Sequence, residues 1–236
     1  VSPLLPGEIL DFHTHIWKSE NWKSKPWETE NDGGKYMVTT ENYPPETLLA
    51  DGQNSFPDKR YKAVIFGYPT PVVDLEKDTR YVAAAANKYD NFFPLVLAGK
   101  SFNLTREQIH AQLSSGGFWG YKVFLNWLGN DYADIGIEDM LGEAEMSLAN
   151  EYRLIVMLHV PRAGRLADPE IQKGVETLAK EYPNAQIVLA HCGRCYLPSE
   201  MKRAIRSLKQ LDNVSMDTSM VMDPLTLQIA MEAIGP

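Results

Sequence analysis

Two histidines one residue apart, His13 and His15, close the run Ile9-Leu10-Asp11-Phe12-His13-Thr14-His15-Ile16. Alternate side chains of a β-strand share a face, so both imidazoles point the same way. Imidazole is the commonest protein ligand for zinc and similar divalent metals. An apolar strand ending in two co-facial imidazoles reads as half of a metal site or, on this motif alone, as two histidines satisfied by packing. The other histidines weigh on the choice. His159 follows the apolar run 154–158 and His191 follows 187–190, so four of the five histidines lie at predicted carboxyl ends of strands. Packing alone gives no reason for that placement. The fifth, His110, sits beside Ile109 in a capped helix and reads as a solvated or half-buried helix residue.

The elements that must position these groups alternate along the chain. Strands are predicted at 8–13, 62–67, 92–97, 119–125, 153–159, 186–191 and 213–217, separated by helical periodicity, the pattern of βα units on a parallel sheet. Continuous apolar runs among them suit strands covered on both faces. Thr105 with Gln108 forms a capping box, Leu104 with Ile109 a hydrophobic staple, and Gly116-Gly117 a stop. Asp168-Pro169 and Asp223-Pro224 each read as an N-cap followed by proline in the first helical position. Ile171, Val175, Leu178 and Ala179 make one apolar stripe, and Met201, Ile205, Leu208 and Leu211 another. Further helices are predicted near 78–89, 138–149 and 224–234.

Seven strands predict an α/β fold, a (β/α)8 barrel whose eighth strand would follow Pro236. A doubly wound open sheet is the alternative. Active sites of such barrels are built at the carboxyl ends of the strands, where the four histidines fall. A single domain is expected over 1–236, interrupted at 17–45 by an excursion carrying Trp17, Trp22, Trp27, Tyr36, Tyr43 and Gly33-Gly34. Excursions of this length are commonly lids, and we read this one as a lid over a pocket, with surface packing as the alternative.

Asp11-x-His13-x-His15 together with His159 resembles the amidohydrolase superfamily. Leu189-Ala190-His191-Cys192-Gly193-Arg194 and Asn213-Val214-Ser215-Met216-Asp217-Thr218-Ser219 narrow the resemblance to its amidohydrolase-2 branch of metal-dependent hydrolases, lactonases and non-oxidative decarboxylases. It runs from Asp11 to about Ser219. The resemblance implies a distorted (β/α)8 TIM barrel holding one divalent metal, zinc or manganese, on His13, His15 and His159. It implies that His191 orients or polarises substrate and water, and in protonated form would stabilise an oxyanion. The base of that family is a strand-eight aspartate, expected beyond Pro236. Asp217-Thr218-Ser219 matches the strand-seven ending and is not assigned to the site. Relatives in the wider superfamily carbamylate a lysine within a strand. This branch generally does not, which leaves Lys122 as an ion pair or a substrate contact.

Three neutral ligands leave a cation its full charge and an open position, where a water acidifies. The expected activity is a metal-dependent hydrolysis of a small ester, lactone or amide. A decarboxylase would use the same ligand set, and a ligand-binding barrel without turnover is the non-enzyme reading. Arg162 and Arg165 after strand five and Arg194 after strand six can grip a carboxylate bidentately, so an anionic substrate is expected, against the alternative of solvated loop arginines. Trp127 and Tyr132 after strand four, like Trp17, are candidate pocket walls, with core packing as the alternative.

The composition limits the remaining classes. With 236 residues, 44% hydrophobic and 23% charged, the chain is that of an ordinary globular protein. A net charge of −8 argues against nucleic-acid binding, and no apolar stretch approaches the ~20 residues of a membrane span. Two cysteines, Cys192 and Cys195, build no disulfide framework and favour a cytoplasmic setting. Their C-x-x-C spacing lacks the second pair of a zinc knuckle and the context of a redox motif. A small molecule is the expected partner, and self-association into a homo-oligomer is left open.

Overall fold

The computed structural model describes residues 5–25, 40–128, 132–208 and 210–235. The chain opens with β1 (Glu8–His15), then β2 (Trp17–Lys18) and β3 (Asn42–Tyr43), which pair as an antiparallel ribbon. Helix α1 (Pro45–Ser55), β4 (Arg60–Phe66), α2 (Leu75–Lys88), β5 (Phe92–Pro94) and β6 (Val96–Ala98) follow. Next come α3 (Arg106–Gly116), β7 (Gly120–Val123), α4 (Ile137–Met140), α5 (Glu143–Tyr152) and β8 (Ile155–Leu158). The last elements are α6 (Pro169–Glu181), β9 (Gln186–Leu189), α7 (Pro198–Ala204), β10 (Val214–Met216) and α8 (Pro224–Ile234). Two compact units result, Val1–Leu97 with Gln112–Trp119, and Ala98–Ala111 with Gly120–Pro236.

In the first unit β1, β4 and β5 form a parallel sheet in that order. Asp11 faces Ala63 but Thr14 faces Ile65, so β1 carries one extra residue and bulges just before its second histidine. Thr14 Oγ1 donates to Val64 O at 2.8 Å and Ile16 N to Phe66 O at 3.0 Å, which pins the strand beyond the bulge. The described ends of the 17–45 excursion are anchored: Trp17 packs with Tyr68, Val72 and Val73, and Trp22 and Tyr43 lie against them. Trp27, Tyr36 and Gly33-Gly34 lie outside the described residues. Helix α1 was not expected. Proline stands in its first turn, but Leu48 is its one large buried apolar side chain, too little to register as a stripe.

In the second unit β10, β9, β8 and β7 run parallel in that order. Val123 pairs with Leu158, Leu158 with Leu189, and Leu189 with Met216, so the four strands end level. Whatever follows each strand therefore shares one edge. Val156, Met157, Leu158, Ile187 and Leu189 are wholly buried, as two-sided coverage requires.

The capping signals are realised. Thr105 N donates to Gln108 Oε1 at 2.8 Å and Gln108 N to Thr105 Oγ1 at 3.3 Å. Asp223 Oδ1 accepts Thr226 N–H at 2.8 Å, and Asp168 Oδ1 accepts Glu170 N–H at 2.9 Å. Asp168 Oδ2 also takes Arg162 Nε–H at 3.2 Å. Asp168→Ala removes cap and ion-pair partner together and is expected to cost about 1–2 kcal/mol, a fall of a few degrees in a thermal melt.

Boundaries shift where local chemistry intervenes. The expected strand 92–97 breaks at Leu95, directly after Pro94, which has no N–H to continue a ladder. The expected helix 138–149 divides into α4 and α5, because Gly142 N–H is taken by Glu145 Oε2 at 3.0 Å in a fresh N-terminal cap. Strand 119–125 ends at Val123, and residues 125–128 form a 3-10 turn. Among the described residues no helix is long and apolar enough to cross a membrane.

Candidate functional site

In the first unit the imidazoles of His13 and His15 lie 5.6 Å apart between ring centroids, on one face as the spacing predicts. Both stand nearly perpendicular to the Phe66 ring in T-shaped contacts, at 5.1 and 4.5 Å between centroids. His15 Nδ1 is 2.9 Å from the Gly67 carbonyl oxygen. A carbonyl can only accept, so Nδ1 carries the proton and Nε2 keeps its lone pair. This is the arrangement in which an imidazole ligates a metal through Nε2 while its other nitrogen is fixed by the backbone. A cavity of about 280 Å³ adjoins His15, lined also by Asp11, Thr14, Trp17, Tyr43, Leu48 and Tyr68. Trp17 thus does border a cavity, its indole stacked on Tyr43 at 5.1 Å.

In the second unit His159 stands one residue beyond β8, His191 two beyond β9 and Asp217 one beyond β10. The level register places all three at one edge. His159 stacks on Phe124 at 4.5 Å and meets the His191 ring edge-on at 5.1 Å. His191 begins a turn of four left-handed residues, with φ of 55° at His191, 53° at Cys192, 62° at Gly193 and 61° at Arg194. Asp217 clamps this turn. Its Oδ1 accepts His191 N–H at 3.1 Å, and its main-chain carbonyl accepts Cys192 N–H at 2.7 Å. Ser219 completes the set: its hydroxyl donates to Asp217 Oδ1 at 2.5 Å, and its own oxygens Oγ and O stand 2.8 and 3.1 Å from His191 Nδ1. The carbonyl fixes the tautomer again, with the proton on Nδ1 and a lone pair on Nε2.

The electrostatics of this edge follow from burial. Desolvation pushes the His191 imidazole down to about 4, with the Lys122 charge acting the same way against Asp217 and Ser219. His191 is therefore neutral at pH 7 and presents an acceptor, whereas its expected oxyanion role required the protonated ring. Lys122, wholly buried within β7, is held down to about 7 by desolvation and raised by Asp217. Burial pushes Cys192 up to about 11 and Cys195 up to about 12, so both are thiols at neutral pH.

The arginines divide. Arg162 pairs with Asp168 at 3.2 Å and Arg165 with Glu200 at 3.4 Å. Arg194 donates instead to two neutral carbonyls, Val160 O at 3.0 Å and Arg162 O at 3.4 Å, with its guanidinium 5.7 Å from the Tyr132 ring. Trp127 lies in the 3-10 turn after β7, edge-on to Phe102 at 5.3 Å. His110 is exposed on α3 beside Tyr152. Asp217 and Ser219 are the residues the sequence reading passed over. The one local signal for them is the D-x-S spacing, in which the aspartate accepts the Ser219 N–H two residues on, at 3.1 Å.

In the second unit His191, with its proton on Nδ1 and a lone pair on Nε2, and the Asp217 carboxylate beside it are donor types that fit a divalent cation.

Comparison with known proteins agrees in fold. An amidohydrolase from Burkholderia multivorans shares 12% identity with a TM-score of 0.65, over 97% of this chain and 81% of that one. 4-Oxalomesaconate hydratase from Rhodopseudomonas palustris shares 15% identity with a TM-score of 0.62, over 96% and 78%. A TIM-barrel protein from Bordetella bronchiseptica shares 14% identity with a TM-score of 0.56, over 94% and 79%. These likenesses show an α/β fold of the TIM-barrel type. No curated protein matches the chain. Residues 10–233 match the family described as Amidohydrolase, in its amidohydrolase-2 form. With nearly the whole length matched and parallel strands ending in histidines, the chain belongs to the metal-dependent amidohydrolase-2 family.

Proposed function

We propose that this protein is a metal-dependent hydrolase that opens a small, anionic ester, lactone or amide with water. His13, His15 and His159 would hold the cation, zinc or manganese, as the family resemblance assigns them. When bound, the cation supplies a Lewis-acid centre and acidifies water at neutral pH. The chain's own groups do the rest. The neutral His191 offers Nε2 as acceptor for a proton or a substrate donor, and Ser219 and Asp217 hold its ring and tautomer. Arg194, whose guanidinium donates to carbonyls and meets no carboxylate among the described residues, carries the charge that would meet a substrate carboxylate.

The observation that carries this reading is the imidazole and carboxylate side by side past two paired parallel strands, His191 Nδ1 and Asp217 Oδ1 being 4.0 Å apart. Such a pair is the acid–base equipment hydrolysis needs. The zinc- or manganese-loaded protein should release acid from a panel of lactones, esters and amides. Carbon dioxide released from aromatic carboxylates would move the chemistry to decarboxylation, and ligand binding without turnover would leave a binding protein. Arg194→Gln should raise KM for an anionic substrate about tenfold or more while kcat changes less, the cost of one charge-assisted bond. An unchanged KM would remove Arg194 from recognition.

A further inference from the structure

Asp78 is a buried acid that the proposed chemistry does not use. It lies in the first turn of α2, its N–H on Asp74 O at 2.9 Å, and is 3% exposed. Its carboxyl is packed against Gly67, the residue after β4. A Cβ on Gly67 would fall 1.5 Å from Asp78 Oδ2, so any side chain there would expel the carboxyl. The Tyr68 N–H donates to that carboxyl. The same peptide unit faces His15 with its other end, since the Gly67 carbonyl accepts the His15 Nδ1 proton at 2.9 Å.

A peptide unit is planar and close to rigid, and in the trans form its C=O and N–H point in opposite directions. Fixing the N–H therefore fixes the direction of the C=O. Hydrogen bonds at the two ends also polarise one another, so an acceptor on the N–H makes the carbonyl a better acceptor for the imidazole. We propose that Asp78 is a positioning residue for His15, acting through the single peptide plane 67–68 to set the tautomer and orientation of that imidazole. The proposal rests on the reading of His15 as a metal ligand only where metal affinity is concerned. Burial pushes Asp78 up to about 8, so the neutral side chain of asparagine is its close substitute at pH 7.

The test begins in metal-free protein labelled with nitrogen-15. The wild-type His15 ring should show the Nδ1–H tautomer, and the Tyr68 amide should exchange slowly with solvent. Asp78→Ala should shift His15 to a mixture of tautomers and weaken zinc binding about 10–100-fold, the usual cost of losing a group that orients a ligand. Asp78→Asn should restore both. Val82→Ala, one turn further along α2 and equally buried, controls for stability: it should lower the melting temperature and leave the tautomer and zinc affinity unchanged. Should Asp78→Ala not fold, Asp78→Ser gives the same readout, its hydroxyl being too short to replace the carboxyl. A wild-type tautomer with zinc affinity within twofold in Asp78→Ala or Asp78→Ser, or rapid exchange at the wild-type Tyr68 amide, would overturn the proposal. Zinc retained by His15→Ala would instead overturn the ligand assignment, leaving the tautomer result to stand by itself.

Discussion

Replacing His13 with alanine is expected to leave the purified protein without its stoichiometric metal, and His159→Ala to do the same. Structural zinc sites gain roughly 10–16 kcal/mol from about four ligands, so one ligand accounts for about 3 kcal/mol, or more than a hundredfold in affinity. That loss suffices to strip the metal during dialysis against a chelator, and elemental analysis reads it directly. Hydrolysis should fall with metal content and recover in part with excess zinc, since mass action refills a weakened site. The fold should survive in His13→Ala, because the ring is only half-buried and its packing partner Phe66 remains wholly enclosed. Full metal occupancy in either variant would withdraw that histidine from the ligand set.

The positions of the four strand-end histidines were legible because two simple periods carry them. His13 and His15 follow the two-residue repeat of a strand, and His159 and His191 each follow an unbroken apolar run. The helix starts at Thr105, Asp168 and Asp223 were legible for the same reason: capping is local chemistry written within four residues. What the sequence withheld is non-local. Arg162 and Arg165 read as free guanidiniums, and their ion pairs with Asp168 and Glu200 come into view only once the loops fold back. The turn after β9 was hidden more deeply. His191, Cys192 and Arg194 adopt a left-handed conformation that L-residues avoid, and Gly193 alone hints at it. Asp217 was set aside as the end of a strand because the family pattern gives its base another address. Its importance here comes from tertiary hydrogen bonds no spacing rule encodes.

That clamp makes Asp217→Ala the other substitution with a large expected effect. Three non-glycine residues in the left-handed region cost about 1–2 kcal/mol each. The turn persists because Asp217 takes His191 N–H, Ser219 N–H and the Ser219 hydroxyl on one carboxylate oxygen. Alanine would strand the buried His191 N–H, at about 1–3 kcal/mol, and release the two part-buried Ser219 donors. The turn should then relax and carry the His191 imidazole out of place. A displacement of about 1 Å in a catalytic group costs on the order of a hundredfold, so kcat should fall by at least that, with KM within a few-fold and a lower melting temperature. Asp217→Asn separates position from charge. Its amide oxygen still accepts the same donors, so the melting temperature should stay near wild type. Only the loss of negative charge beside His191 would lower kcat, by about tenfold. If both variants lost activity equally while only the alanine variant lost stability, charge rather than geometry would be the contribution of Asp217. Wild-type kcat in Asp217→Ala would mean that His191 does not need the turn, and would remove the Asp217 clamp from the chemistry.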